Sequence, residues 1–129
     1  MTQEDKELLL KDLCARMPYE VKVKFYDHWV DEYEIIPLTA KLLADTVYIG
    51  DIKPYLFPMS SMTEEQTDSW RDYWFPDLIT STKVNYPESK KYLALSHSKS
   101  IEWLYKHHFD VNGLIPKGLA NDAPGKNIY

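Results

Sequence analysis

The chain opens on a helical pattern. Thr2 is placed to cap a helix running to about Arg16, with Glu4, Asp5 and Glu7 in the first turn, where the helix dipole favours negative charge. Leu10, Leu13, Cys14 and Met17 recur at i, i+3, i+4 and i+7, one apolar face that Leu9 widens, and Pro18 ends the pattern. The period then changes to two. Val21, Val23 and Phe25 alternate with Lys22, Lys24 and Tyr26, as expected of a half-buried strand. The acidic stretch from Asp27 to Glu34 predicts a turn, and Tyr33-Glu34-Ile35-Ile36 a second strand that Pro37 confines to an edge or a bulge. Thr46-Val47-Tyr48-Ile49 predicts a third strand closed by Gly50-Asp51, while Lys41–Ala44 fits either an extension of the second strand or a helical turn.

Pro54 and Pro58 make residues 53–62 an expected extended connector. Thr63-Glu64-Glu65-Gln66 is a capping box, and the helix it starts carries Trp70, Tyr73 and Trp74 before Pro76 stops it. Asn85-Tyr86-Pro87-Glu88 has the form of a short helix start. A better-defined helix is predicted from about Ser98 to about His108, with Ile101, Leu104, Tyr105 and His108 on one face and Trp103 opposite. Asp110–Gly113 is turn-like, and Leu114, Ile115 and Leu119 pack back with Gly113 and Gly118 as pivots. The pattern describes an α+β fold: an N-terminal helix, a small antiparallel meander of about three strands, then two or three C-terminal helices. One globular domain covers 1–120, and 121–129 is expected to fray.

Composition adds three constraints. A chain of 129 residues buries enough surface to fold without disulfides or metals, and the single cysteine, Cys14, cannot form an internal disulfide, which favours a reducing, cytoplasmic setting. The first residues are acidic and polar rather than signal-like, and no run approaches the about 20 apolar residues of a membrane span. The net charge of −5 is unevenly spread, with 11 acidic and 3 basic side chains in residues 27–77 against 4 and 7 in residues 83–129. Such a balance, without a Lys/Arg cluster, argues against duplex binding, which needs several phosphate contacts.

Candidate chemistry is sparse. His107 and His108 with Asp110 form the most metal-like group, but neighbouring helical side chains diverge by about 100°, so a structural histidine near the helix end is the better reading. Cys14 reads as a small core residue on the first helix. Ser60-Ser61 lacks a Gly-x-Ser-x-Gly elbow. The carboxylates of Glu64, Glu65, Asp68 and Asp72 read as a solvated helix face. No phosphate-cradling glycine loop, Cys-x-x-Cys pair or His-Glu-x-x-His helix is present, and no cofactor is implied. The ten Tyr, four Trp and four Phe are the unusual feature, since large rings serve both cores and recognition surfaces.

Two segments carry a resemblance: Ile52-Lys53-Pro54-Tyr55-Leu56 through Pro58-Met59-Ser60-Ser61-Met62-Thr63-Glu64-Glu65, and His107-His108-Phe109-Asp110 with Gly113-Leu114-Ile115-Pro116-Lys117-Gly118-Leu119-Ala120. With the opening Met1–Leu13, they resemble a family of small uncharacterised proteins from gut bacteria and their phages or mobile elements. Residues 77–96 fall outside the match and read as an insertion. The resemblance implies a bacterial or phage setting and transfers no activity or site residue.

Three functional readings follow. The first is a non-enzymatic protein-interaction module whose partner, another protein, meets Trp70, Tyr73, Trp74 and Trp103. The second is an enzyme or small-ligand binder with a pocket joining Tyr55, Ser61, His108 and Asp110. The third is an acidic protein that occupies a nucleic-acid-binding partner through a continuous face of carboxylates within residues 27–77.

Overall fold

The structure, a computed structural model, describes residues 1–74 and 97–129. The expected helix at Asn85–Glu88, Phe75 and the Trp74 side chain lie outside that description. Helix α1 spans Gln3–Arg16 and starts on a reciprocal capping box between Thr2 and Asp5. Strands β1 (Lys22–Asp27) and β2 (Glu32–Pro37) form an antiparallel hairpin. Helix α2 (Ala40–Asp45) follows, capped by Thr39, then strand β3 (Ile52–Leu56). Helix α3 (Glu64–Trp74) begins at the predicted Thr63–Gln66 box, whose two hydrogen bonds measure 2.9 and 3.1 Å. Helix α4 includes residues 97–106, and β4 (Asn121–Asp122) closes the chain's last pairing. The fold is α+β, with four strands in the order β2-β1-β3-β4.

The sheet is mixed rather than an antiparallel meander. β1 pairs antiparallel with both β2 and β3, whereas β4 lies parallel to β3. The third strand is displaced from the expected Thr46–Ile49 to Ile52–Leu56, inside what the prolines had marked as a connector. Leu42 and Leu43 pack on the core as part of α2, so the alternation at 46–49 is spent on leaving that helix. Pro54 is tolerated because β3 faces β1 through 52–54 and β4 only through 55–56. It sits at the hand-over, where its missing N–H is demanded on neither ladder.

One face of the sheet carries the main core. Leu9 and Leu13 of α1 pack with Val21, Val23, Ile52 and Leu56, and Leu114 and Leu119 return to the same cluster. The buried face of α1 is therefore Leu9, Asp12, Leu13 and Arg16, rotated from the predicted stripe. Leu10 and Cys14 are exposed, so Cys14 is not a core residue. The rotation has a chemical cause. Arg16 and Asp12 are fully buried, with Nε donating to Asp12 Oδ1 at 2.6 Å and Nη2 to Oδ2 at 3.2 Å. Arg16 Nη2 also donates to the Phe109 carbonyl at 2.6 Å, its guanidinium lies over the Tyr105 ring, and Asn112 Nδ2 donates to Asp12. A hydropathy pattern cannot foresee charged residues on the buried face.

A second cluster joins Trp103, Leu104 and Phe109 with Phe57, Met62, Trp70 and Val111, so α3 packs on α4. Trp103, expected opposite the apolar face, is buried beside Leu104. Helix α4 ends in a Schellman arrangement: Phe109 N–H donates to Leu104 O and His108 N–H to Tyr105 O. His108 takes the left-handed position at φ 65, where glycine is usual. Residues 121–129, expected to fray, instead fold over the sheet's other face. Ala123 is buried, and the Tyr129 hydroxyl accepts from Lys22 N–H at 2.8 Å and donates to the Tyr55 carbonyl at 2.9 Å. Among the described residues no helix is long and apolar enough to cross a membrane.

Two outcomes test this account. Asp12→Ala leaves a buried guanidinium without its counter-charge and lowers stability by about 3–5 kcal/mol, whereas Asp12→Leu with Arg16→Met recovers most of that loss in chemical denaturation. The second concerns His108, which stacks on Tyr129 at 3.8 Å between ring centres. Burial, then the nearby Arg16 charge and His107, push its pKa down from 6.5 to about 4. Between these values the unfolded chain takes up a proton that the folded chain refuses, so stability falls as pH drops from about 6.5 toward 4. His108→Asn, which keeps a residue suited to positive φ, flattens the melting-temperature profile across that window.

Candidate functional site

The residues nominated from sequence take up mostly structural positions. Asp110 is buried, and its carboxylate accepts from Leu114 N–H at 2.8 Å and Ile115 N–H at 3.0 Å, fixing the turn before Leu114. His107 packs on the Trp103 ring at 4.1 Å. Ser61 is exposed and its hydroxyl donates to the Pro58 carbonyl. Tyr55 is buried beneath Tyr129 and Lys126. Tyr55, Ser61, His108 and Asp110 line none of the three cavities of about 580, 350 and 300 Å³ that described residues form beside α1 and the hairpin. Of the aromatic group, Trp103 is buried, Trp70 is half-buried with Nε1 donating to Ser100 O at 3.2 Å, and Tyr73 is 38% exposed. Among the described residues no three His, Cys, Asp or Glu side chains converge as metal ligands do.

The exposed chemistry gathers instead at the β1–β2 hairpin. Its turn, residues 28–31, is held by Trp29 N–H donating to Asp27 Oδ1 at 2.9 Å and by Asp31 in the left-handed region at φ 54. That geometry puts Trp29 at the tip, 97% exposed, with Val30 exposed beside it. Tyr33 and Ile35 on β2, and Val47 and Tyr48 after α2, are also exposed. Such a concentration of uncovered large side chains on one small domain is the usual mark of an interaction surface.

His28 joins the two halves of this surface. Its Nε2 lies 2.7 Å from Asp51 Oδ2, and its ring meets Tyr26 edge-on at 4.6 Å and Tyr48 at 6.4 Å. On one side of this pair is a cavity of about 300 Å³, lined by Phe25, Trp29, Val47 and Tyr48 among others. On the other is a cavity of about 350 Å³, on the sheet face away from α1, lined by Lys24, Tyr26, Tyr33, Lys53 and Asn121. A histidine–carboxylate pair is half of a general-base device. Among the described residues, the Thr46 hydroxyl beside it donates to Leu42 O, and Cys14 is on α1 and lines neither cavity.

The sequence carried one usable sign of this site, the apolar pair Trp29-Val30 set inside an acidic turn. Nothing linked His28 to Asp51, because 23 residues and the α2 excursion separate them. The exposure of Trp29 is directly measurable. Trp29→Phe lowers the iodide-quenchable fraction of tryptophan fluorescence and changes stability by no more than about 0.5 kcal/mol, as expected where no packing is lost.

A scan against protein-family profiles finds no match to this chain, and searches of the curated proteins and of the solved structures likewise return none.

Proposed function

We propose that this protein is a non-enzymatic interaction module that captures an extended, basic segment of a partner protein along the free edge of β2. The observation that carries this reading is the edge itself. β2 lies at the end of the sheet and, among the described residues, pairs only with β1. Five of its six residues are exposed. An edge strand offers a row of unmatched N–H and C=O groups, which proteins normally cover or disrupt unless a partner strand uses them. The strand's two faces differ. Tyr33 and Ile35 face the lysine-bearing side of the sheet, while Glu32 and Glu34 alternate to the other. A segment alternating basic and apolar residues meets both, with Trp29 at the hairpin tip as a further anchor. Self-pairing of two β2 strands would bring Glu32 and Glu34 of both copies together, which like-charge repulsion opposes. The resemblance to gut-bacterial and phage proteins gives this reading a bacterial, cytoplasmic setting.

The test uses a peptide of alternating lysine and valine matched to the six residues of β2. Titrated into isotopically labelled protein, it shifts the amides of Glu32–Pro37 and the Trp29 indole. Trp29→Ala and Tyr33→Ala each weaken it severalfold without lowering the melting temperature. A Glu-for-Lys peptide that binds as well sinks the reading, as does a concentration-dependent dimer formed through β2.

A further inference from the structure

We infer that the cavity on the outer sheet face, between Lys24, Lys53, His28 and Asn121, binds a small organic phosphate carrying a planar ring. The strand register sets Lys24 directly opposite Lys53. Like charges facing each other across two strands oppose pairing, so this placement is unfavourable unless an anion joins them. Among the described residues neither ammonium has a carboxylate within ion-pair distance. Lys24 Nζ lies over the Tyr33 ring at 4.6 Å, which holds it at the cavity wall.

Asn121 supplies an independent sign. β4 fixes it opposite Tyr55, and it lines the same cavity. Its Nδ2 is shut off from solvent with no hydrogen-bond partner. Buried amide donors are nearly always matched, and a turn of this side chain toward the cavity that its residue lines gives the amide an acceptor once a ligand is there. The remaining polar group, the Asp51 carboxylate, is already bonded to His28. With the Asp51 charge faced by His28, the donors left to a ligand are the two ammonium groups and the phenols, the complement of a phosphate's oxygens. Tyr26 and Tyr33, edge-to-face at 4.9 Å, form the apolar wall for a ring. A volume of about 350 Å³ suits a ligand of nucleotide size. The chain's net charge of −5 does not oppose this, because Glu32 and Glu34 point to the other side of the hairpin.

The experiment titrates the full chain with adenosine monophosphate, adenosine and inorganic phosphate, read by nuclear magnetic resonance at the Asn121 side-chain amide and Tyr33. Adenosine monophosphate binds most tightly and moves both signals. Lys24→Gln and Lys53→Gln each weaken it by roughly tenfold, the worth of one charge-assisted contact. Lys53→Arg retains binding, and Lys11→Gln, an exposed change on α1, leaves it unaltered. Both Gln variants keep or raise the melting temperature, since they relieve repulsion, so lost binding is not lost folding. Adenosine binding as tightly as its monophosphate, or Lys53→Gln binding like the parent, overturns the anion site. Inorganic phosphate binding equally tightly overturns the ring-bearing ligand. Absence of binding by all three at ~10 mM, where even a contact worth ~3 kcal/mol would register, overturns the whole inference. Trp29→Ala leaves this binding unchanged, which separates it from peptide capture on β2.

Discussion

The buried pair of Arg16 and Asp12 is the constraint around which the rest of the molecule is arranged. Two charges removed from water need matched partners, and among the described residues every nitrogen of the guanidinium but Nη1 has one. Asp12 supplies the counter-charge, Phe109 a carbonyl, Asn112 an amide and Tyr105 a ring face. The last three come from the end of α4 and the turn that follows it. Helix α1 is thereby locked in one rotation about its axis, and the C-terminal segment is pinned to it. The Schellman end of α4, with His108 in a backbone region normally left to glycine, places the Phe109 carbonyl where the guanidinium can reach it.

The legible parts of the fold were those governed by local chemistry. The Thr2 and Thr63 caps, the β1–β2 alternation and the positive φ of Gly113 and Gly118 each depend on a few neighbouring residues. The illegible parts were set by distant ones. The face of α1 was misread because its buried stripe includes an ion pair whose other partners lie almost a hundred residues away. β3 was hidden by Pro54, which is harmless only because the strand changes neighbours there. The tail looked polar because its aliphatic and aromatic residues, Ala123, Ile128 and Tyr129, are three among nine. For the site, the aromatic surplus did not say which rings the fold would cover. Trp103 and Trp70 build the α3–α4 contact, whereas Trp29 at the hairpin tip is left uncovered.

Charge is also divided across the sheet. Alternation sends Glu32 and Glu34 to one side of the hairpin and leaves Lys24 and Lys53 on the other. A small protein can thus present an acidic strand edge and a basic concavity within a few residues of each other, each suited to a different class of ligand. His28 and Asp51 stand between the two, and their contact ties the hairpin to the loop that precedes β3.

The long reach of these contacts shapes how the molecule comes together in time. Lys22 meets Tyr129 across 107 positions, and Arg16 meets Phe109 across 93. Loops of that span are slow to close, and little is gained until both ends are in place. During synthesis α1 and the hairpin emerge first, yet α1 has no acceptor for its guanidinium until residues 105–112 follow. The early chain therefore keeps Arg16 and Asp12 hydrated and its apolar strands loosely paired. Consolidation waits for residues 105–112, and until they emerge the chain offers its bare strand edges to chaperones or to aggregation.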